Sequence, residues 1–120
     1  MPAGWKVRLS AAARRDFAEI IRWTTKTFGE AQARRYGEAI SVALGQLVAG
    51  PELPASRARP DLGPQVRVVA IARQGRRSSH LLVYRSVAGS ELEVIRILHD
   101  AMDLARHMGG SGGTQFRRIA

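Results

Sequence analysis

The stretch that decides the fold runs from residue 10 to residue 51, SAAARRDFAEIIRWTTKTFGEAQARRYGEAISVALGQLVAGP. In its first half Phe17, Ile20, Ile21, Thr24 and Phe28 recur at helical spacing, and Arg15, Asp16, Glu19, Arg22 and Lys26 lie opposite. That pattern predicts an amphipathic helix over residues 11–28. Ser10 is placed to cap it, because a hydroxyl before the first turn can accept a bond from an unpaired amide. Gly29 ends it. A second helix is expected from about residue 30 to 49, with Ala33, Tyr36, Ile40, Ala43, Leu44 and Leu47 on one face and Arg34, Arg35 and Glu38 on the other. Gly50-Pro51 stops it. Two helices separated by one glycine should fold as an antiparallel hairpin, both apolar stripes facing one core.

Working outward, residues 5–9 (Trp-Lys-Val-Arg-Leu) alternate apolar and basic, the period-two pattern of a half-buried strand. Residues 50–64 hold four of the five prolines together with Arg57, Arg59 and Asp61, and read as a loop. Beyond it the period falls to two. Residues 66–72, 80–85 and 92–98 are expected strands, with turns at 74–77 and 88–90, making a three-stranded antiparallel meander. The hairpin can cover one face of this sheet, and the first strand is expected to join it. The expected fold class is α+β, in the order β-α-α-β-β-β. A short helix or turn should follow residue 98. Residues 1–108 form one expected domain, and residues 109–120, which begin Gly-Gly-Ser-Gly-Gly, have the composition of a flexible tail.

The chain has 120 residues, 45% of them hydrophobic, enough for one ordinary globular core. Nineteen Lys and Arg against ten Asp and Glu give a net charge of +9. Only Lys6 and Lys26 are lysines; the rest are arginines, which suit bidentate contact with carboxylate or phosphate. An anionic partner is the first inference. The charge is uneven: residues 50–86 carry seven basic and two acidic side chains, whereas residues 87–108 carry two and four. The absence of cysteine excludes disulfides, thiol nucleophiles and Cys-ligated zinc. Residues 1–6 lack the apolar stretch of a secretion signal, and no run approaches the roughly 20 apolar residues of a membrane span. A soluble, cytoplasmic protein without membrane association is expected.

Arg67, Arg85 and Arg96 interrupt apolar strands. On a sheet with one covered face they could share the open face and, with Arg57 and Arg59, make an anion site. Equally, each could be a solvated residue of the outer surface. His80, His99 and His107 are the acid/base candidates at neutral pH. None stands four residues from another, so no metal site is expected. His99, after a strand end, is best placed to reach a cleft. Asp16 and Glu19 are expected to pair locally with Arg15 and Arg22. Trp23 sits about 120° from the centre of the first helix's apolar stripe at 100° per residue. It is either an exposed anchor for a partner or a ring covered by the second helix, and Val42 is similarly off its stripe.

Asp16-Phe-Ala-Glu-Ile-Ile-Arg-Trp23, then Phe28-Gly29 with Ala33 and Tyr36, then Leu47 ahead of Gly50-Pro51, resembles the helical hairpin of RelE/ParE toxins of bacterial type II toxin–antitoxin systems. Further on, Arg59-Pro60-Asp61-Leu62, His80-Leu-Leu-Val-Tyr84-Arg85 and Val94-Ile-Arg-Ile-Leu-His99-Asp-Ala-Met-Asp103 with Arg106-His107 resemble the ParE branch. The resemblance spans about residues 5–108. It implies a toxin that acts by binding, with DNA gyrase as the expected target, and a cognate acidic, ParD-like antitoxin joined with it in a hetero-oligomer. No cofactor is implied. RelE-like members are ribosome-dependent messenger RNA endonucleases; as such an enzyme, this chain would use His99, Arg85 and Arg96. Leu81 stands where ribonuclease members often carry a basic residue, and Asp100 follows His99, so the sequence offers His99 no second acid/base partner. A plain basic nucleic-acid-binding module is a third reading, without the basic and amide-rich recognition helix it would need. Residues expected to touch target or antitoxin are Trp23, Arg57, Arg59, Arg67, Arg76, Arg77, His80, Arg85 and Arg96.

Overall fold

The computed structural model describes residues 4–73, 76–99 and 104–108. The expected tail at 109–120 and the turn residues 74 and 75 lie outside the described residues. Strand β1 (Lys6–Leu9) leads into helices α1 (Ala11–Phe28) and α2 (Glu30–Gln46), followed by β2 (Arg57–Ala58), β3 (Val66–Arg73), β4 (Arg76–Val87), β5 (Glu91–His99) and α3 (Leu104–His107). The five strands form one sheet in the order β1-β5-β4-β3-β2. The meander β3-β4-β5 is antiparallel, and β1 lies parallel to β5. The expected α+β fold and order of its main elements are observed, with the two-residue strand β2 added from the proline loop, and the first strand does join the sheet.

Ser10 starts α1 as its position predicts: its Oγ accepts from the Ala13 N–H at 3.0 Å. The same hydroxyl donates to the Ile95 carbonyl at 2.7 Å, tying the helix start to β5. Gly29 makes the hairpin possible. Its φ of 96° and ψ of 170° belong to a region that essentially only glycine occupies. Its N–H closes the last turn of α1 on Thr25, and its carbonyl accepts the Ala33 N–H that opens α2. Gly50, at φ 117°, lets the Trp5 indole lie against the backbone; a Cβ there would meet Nε1 at 3.1 Å.

The hairpin covers one face of the sheet. Between them Ile40 and Leu47 of the helical arm meet Ile71, Leu82, Tyr84, Leu92 and Val94 of the strands, all at 0% exposure. The Tyr84 hydroxyl donates to the Pro51 carbonyl at 2.6 Å, which anchors the proline loop to the core. The opposite face differs from expectation. Instead of an open basic surface it holds a second apolar cluster of Val66, Val68, Leu81, Val83 and Leu98, buried with Leu104 of α3 and flanked by Leu62 and Met108. Alternation sends Val66, Val68, Leu81, Val83 and Leu98 to this face, where apolar side chains need cover.

Local details also differ from expectation. Helix α2 ends at Gln46, and residues 47–49 tighten into a 3-10 turn before Gly50. The proline loop contains the two-residue strand β2 and a second 3-10 turn, Pro60–Leu62. Strand β4 extends to Arg76–Val87, well beyond residues 80–85, because its polar ends pair with β3 and β5 through backbone groups that hydropathy does not register. Phe28 leaves the core stripe: at the tip of the hairpin it is 63% exposed, and its ring meets that of Trp23 edge-on, with centroids 5.7 Å apart.

Candidate functional site

Three places on the molecule carry chemistry beyond folding. The first is the outer side of the hairpin. Phe17, Ile21 and Thr25 from α1, with Ala33, Gly37, Ser41 and Val42 from α2, line an open apolar groove of about 670 Å³. Trp23 is 58% exposed and Val42 61% exposed. The second helix therefore does not cover the Trp23 ring. Trp23 meets the similarly exposed Phe28 edge-on, with ring centroids 5.7 Å apart, and large apolar side chains standing together in solvent are the less ordinary observation on a protein surface. The groove was foreshadowed by the width of the α1 stripe. With Ile20 and Ile21 adjacent, one of the pair faces the sheet core and the other faces out between the helices.

The second place holds the arginines, and the fold separates them. Arg96 is no surface cation. Its Nε and Nη2 donate to the two carboxylate oxygens of Asp16 at 2.7 and 2.9 Å, and its Nη1 donates to the His107 carbonyl at 2.7 Å. Asp16 Oδ2 also accepts the Ile97 N–H at 2.9 Å. Strand β1 pairs β5 only as far as Val94. Beyond that point side chains of the α1 start take over the exposed backbone edge: Ser10 satisfies Ile95, and Asp16 satisfies Ile97. Asp16 is thus a long-range partner of β5, and the expected local pairing with Arg15 or Arg22 does not hold.

Arg59 makes two hydrogen bonds with Asp61, at 2.9 and 2.8 Å. That bonding raises the Arg59 guanidinium above its ordinary value and holds the exposed Asp61 carboxyl below the usual carboxylate range, despite slight burial acting the other way. Arg67 stands opposite Tyr84, on the hairpin side of the sheet, and donates from Nε and Nη2 to Ser56 Oγ at 3.1 and 2.8 Å. Arg85 is on the other face, opposite Glu93 and 3.1 Å from its Oε1. Arg57 is exposed on that same face, beside a concavity of about 330 Å³ floored by Val68, Ala70 and Leu81. Arg76 and Arg77 begin β4; their side chains lie outside the described residues. The five arginines expected to make one anion site are therefore divided between two faces, and four of them are already engaged with oxygen acceptors.

The third place was not legible in advance. His80 and His99 stand directly opposite each other on β4 and β5, with ring centroids 5.4 Å apart and nearly perpendicular. The Tyr36 hydroxyl of α2 is hydrogen-bonded to His80 Nδ1. The sequence offered His99 no neighbouring imidazole; strand register places that of His80 against it. Tyr36 belongs to the core stripe and is buried as the stripe predicts, while its hydroxyl reaches His80 on β4. No group of three or more potential metal ligands exists among the described residues, and no helix there is long and apolar enough to cross a membrane.

Residues 7–104 match the family model described as the ParE toxin of the type II toxin–antitoxin system parDE. Toxin ParE1 of Mycobacterium tuberculosis is 30% identical over 100 residues, which cover 83% of this chain and 94% of that protein. Toxin ParE of Escherichia coli is 34% identical over 96 residues, 80% of this chain and 85% of that protein. Among solved structures, the chromosomal ParDE system of P. aeruginosa aligns with a TM-score of 0.64 at 21% identity, over 79% of this chain and 95% of that one. The RelBE2 toxin–antitoxin complex of Mycobacterium tuberculosis aligns at 0.55 and 21% identity, over 85% of this chain and 98% of that one. A mixed sheet under a helical hairpin, matched over nearly the whole described length, makes this chain a member of the ParE toxin family of type II toxin–antitoxin systems.

Proposed function

We propose that this toxin acts in the cytoplasm by binding a host target, DNA gyrase being the expected one, and that a cognate acidic, ParD-like antitoxin neutralises it in a hetero-oligomer. The observation that carries the binding reading is the exposed apolar groove of the hairpin; the exposed Trp23 and Phe28 rings, which meet edge-on beside the hairpin turn, add apolar surface to the same element. An amphipathic helix laid into a groove of this kind buries its apolar face where the toxin alone leaves one in water. The structural relatives include toxin–antitoxin complexes, which supports an antitoxin as the occupant. The exposed Arg57 would meet the acidic remainder of such a partner, and Arg59, Arg67 and Arg85 would do so on releasing their present acceptors. Purified toxin added to a gyrase supercoiling reaction should inhibit it, while a translating ribosome system continues. The reverse result excludes gyrase.

One observation favours a second reading, the ribosome-dependent endonuclease: the facing His80 and His99 with Tyr36 behind them. Cleavage at a 2′-hydroxyl needs a base to take its proton and an acid for the leaving oxygen, and two adjacent imidazoles can serve both roles. That reading expects transcript cuts that vanish in His80→Ala and in His99→Ala. Arg96→Ala is uninformative here, since Arg96 braces Asp16 and the C-terminal turn.

A further inference from the structure

The hairpin groove carries a pattern that the overall charge of the chain conceals. Glu30, Arg34 and Glu38 stand four residues apart along α2, and all three line the groove and are exposed. None of them is held in an ion pair with another described residue. The rise of a helix spaces them by roughly 6 Å per step, so they mark about two turns of one rim. The opposing wall, Phe17, Ile21 and Thr25, is uncharged. Between the walls the floor is low at Ala33 and Gly37, where an added Cβ at Gly37 would meet only Ile21 Cδ1, at 3.4 Å.

We propose that this rim selects the docked helix by charge register: the partner helix bears a basic, an acidic and a basic residue at i, i+4 and i+8 beside its apolar stripe. Resting on the reading that a partner helix occupies the groove, it changes what that helix must look like. A uniformly acidic helix would meet two carboxylates and one guanidinium, so the toxin's +9 charge does not recommend it here. The acidic part of the partner belongs instead on the arginine-bearing loop and strands. Residues at i, i+4 and i+8 share one face of a helix, so all three contacts form together. The same basic-acidic-basic spacing gives the partner internal i, i+4 pairs that favour the helix before docking. Because minus-plus-minus reads the same from either end, the rim sets register and leaves helix direction to the apolar contacts.

The test uses the full-length toxin and two designed amphipathic peptides with the same Leu/Ala stripe. One carries Lys-Glu-Lys at i, i+4 and i+8 beside the stripe, the other Glu-Lys-Glu, with the converse residues on the far face so that composition and net charge are equal. Calorimetric titration at low salt should show the first peptide binding about tenfold more tightly, the sum of three exposed pairs, with the preference shrinking at high salt. The triple variant Glu30→Lys, Arg34→Glu, Glu38→Lys should reverse the preference. Equal affinities for the unaltered toxin, an unchanged preference in the triple variant, or binding of neither peptide overturns the proposal. Val42→Asp, at an exposed groove position, separates the two readings. If it weakens both peptides while their affinities are equal, only the charge register fails; if both bind it undiminished, the groove is not where they dock.

Discussion

The two surfaces proposed to meet a partner differ in how much of their chemistry is already spent within the chain. On the loop and strands, Arg59, Arg67, Arg85 and Arg96 each hold an acceptor, and Arg96 holds two. On the hairpin, Trp23, Phe28 and Val42 stand more than half exposed, and the rim residues Glu30, Arg34 and Glu38 have no ion-pair partner among the described residues. The comparison teaches that a high positive charge is a poor locator of a binding surface. A guanidinium bonded at home must break those bonds before it can bind elsewhere, whereas an apolar side chain in water gains from any cover.

Four measurements test that contrast. The largest effect is expected at Asp16→Ala, which strands the Arg96 guanidinium and the Ile97 N–H together. Breaking one side of such a partly buried pair should cost about 3 kcal/mol in chemical denaturation. A loss below about 1 kcal/mol would return Arg96 to the pool of available surface cations. Next comes Trp23→Ala, which should leave stability unchanged while weakening antitoxin binding by about 2 kcal/mol, or roughly 30-fold. Destabilisation without loss of affinity would move Trp23 from the interface into the fold. Gly29→Ala should destabilise by about 1–2 kcal/mol through backbone strain alone, because nothing stands within 4 Å of the new methyl group. A neutral outcome would mean that the hairpin turn, and with it the groove, can relax.

The smallest effect concerns Arg59 and Asp61. Since the folded carboxyl titrates below its unfolded value, the contribution of the pair is present above the ordinary carboxylate range and disappears as pH falls through the lowered folded value. In Arg59→Ala the Asp61 carboxyl should rise back into the ordinary carboxylate range in an NMR titration, with toxin stability at neutral pH barely altered. An unmoved titration would mean that Arg59 is free to meet a partner after all.

Much of the fold is legible because its signals are local. Ser10 predicts the start of α1, Gly29 the break, and Gly50-Pro51 the stop, each through the backbone geometry or hydrogen bonding of its own few residues. The strands are legible at their apolar centres but not at their polar ends, where backbone pairing extends β4 down to Arg76. The site is less legible. Trp23 and Val42 lie off their stripes, and the helical period alone exposes them as anomalies. Nothing local joins His80 to His99, nineteen residues apart in sequence, since their meeting depends on the register of β4 against β5.

The order of the main elements, the hairpin and the meander can be read from the residues alone, because periodicity and punctuation act over a few residues, and the order and spacing of the motifs carry the family resemblance. Only the tertiary structure decided which charges are available. Asp16 reads as a surface carboxylate beside Arg15, yet it lies against residues 96 and 97 because β1 is too short to cover the β5 edge and the buried backbone there needs an acceptor. A side chain's partner is set by where distant backbone groups are left unpaired, and that is a property of the assembled sheet.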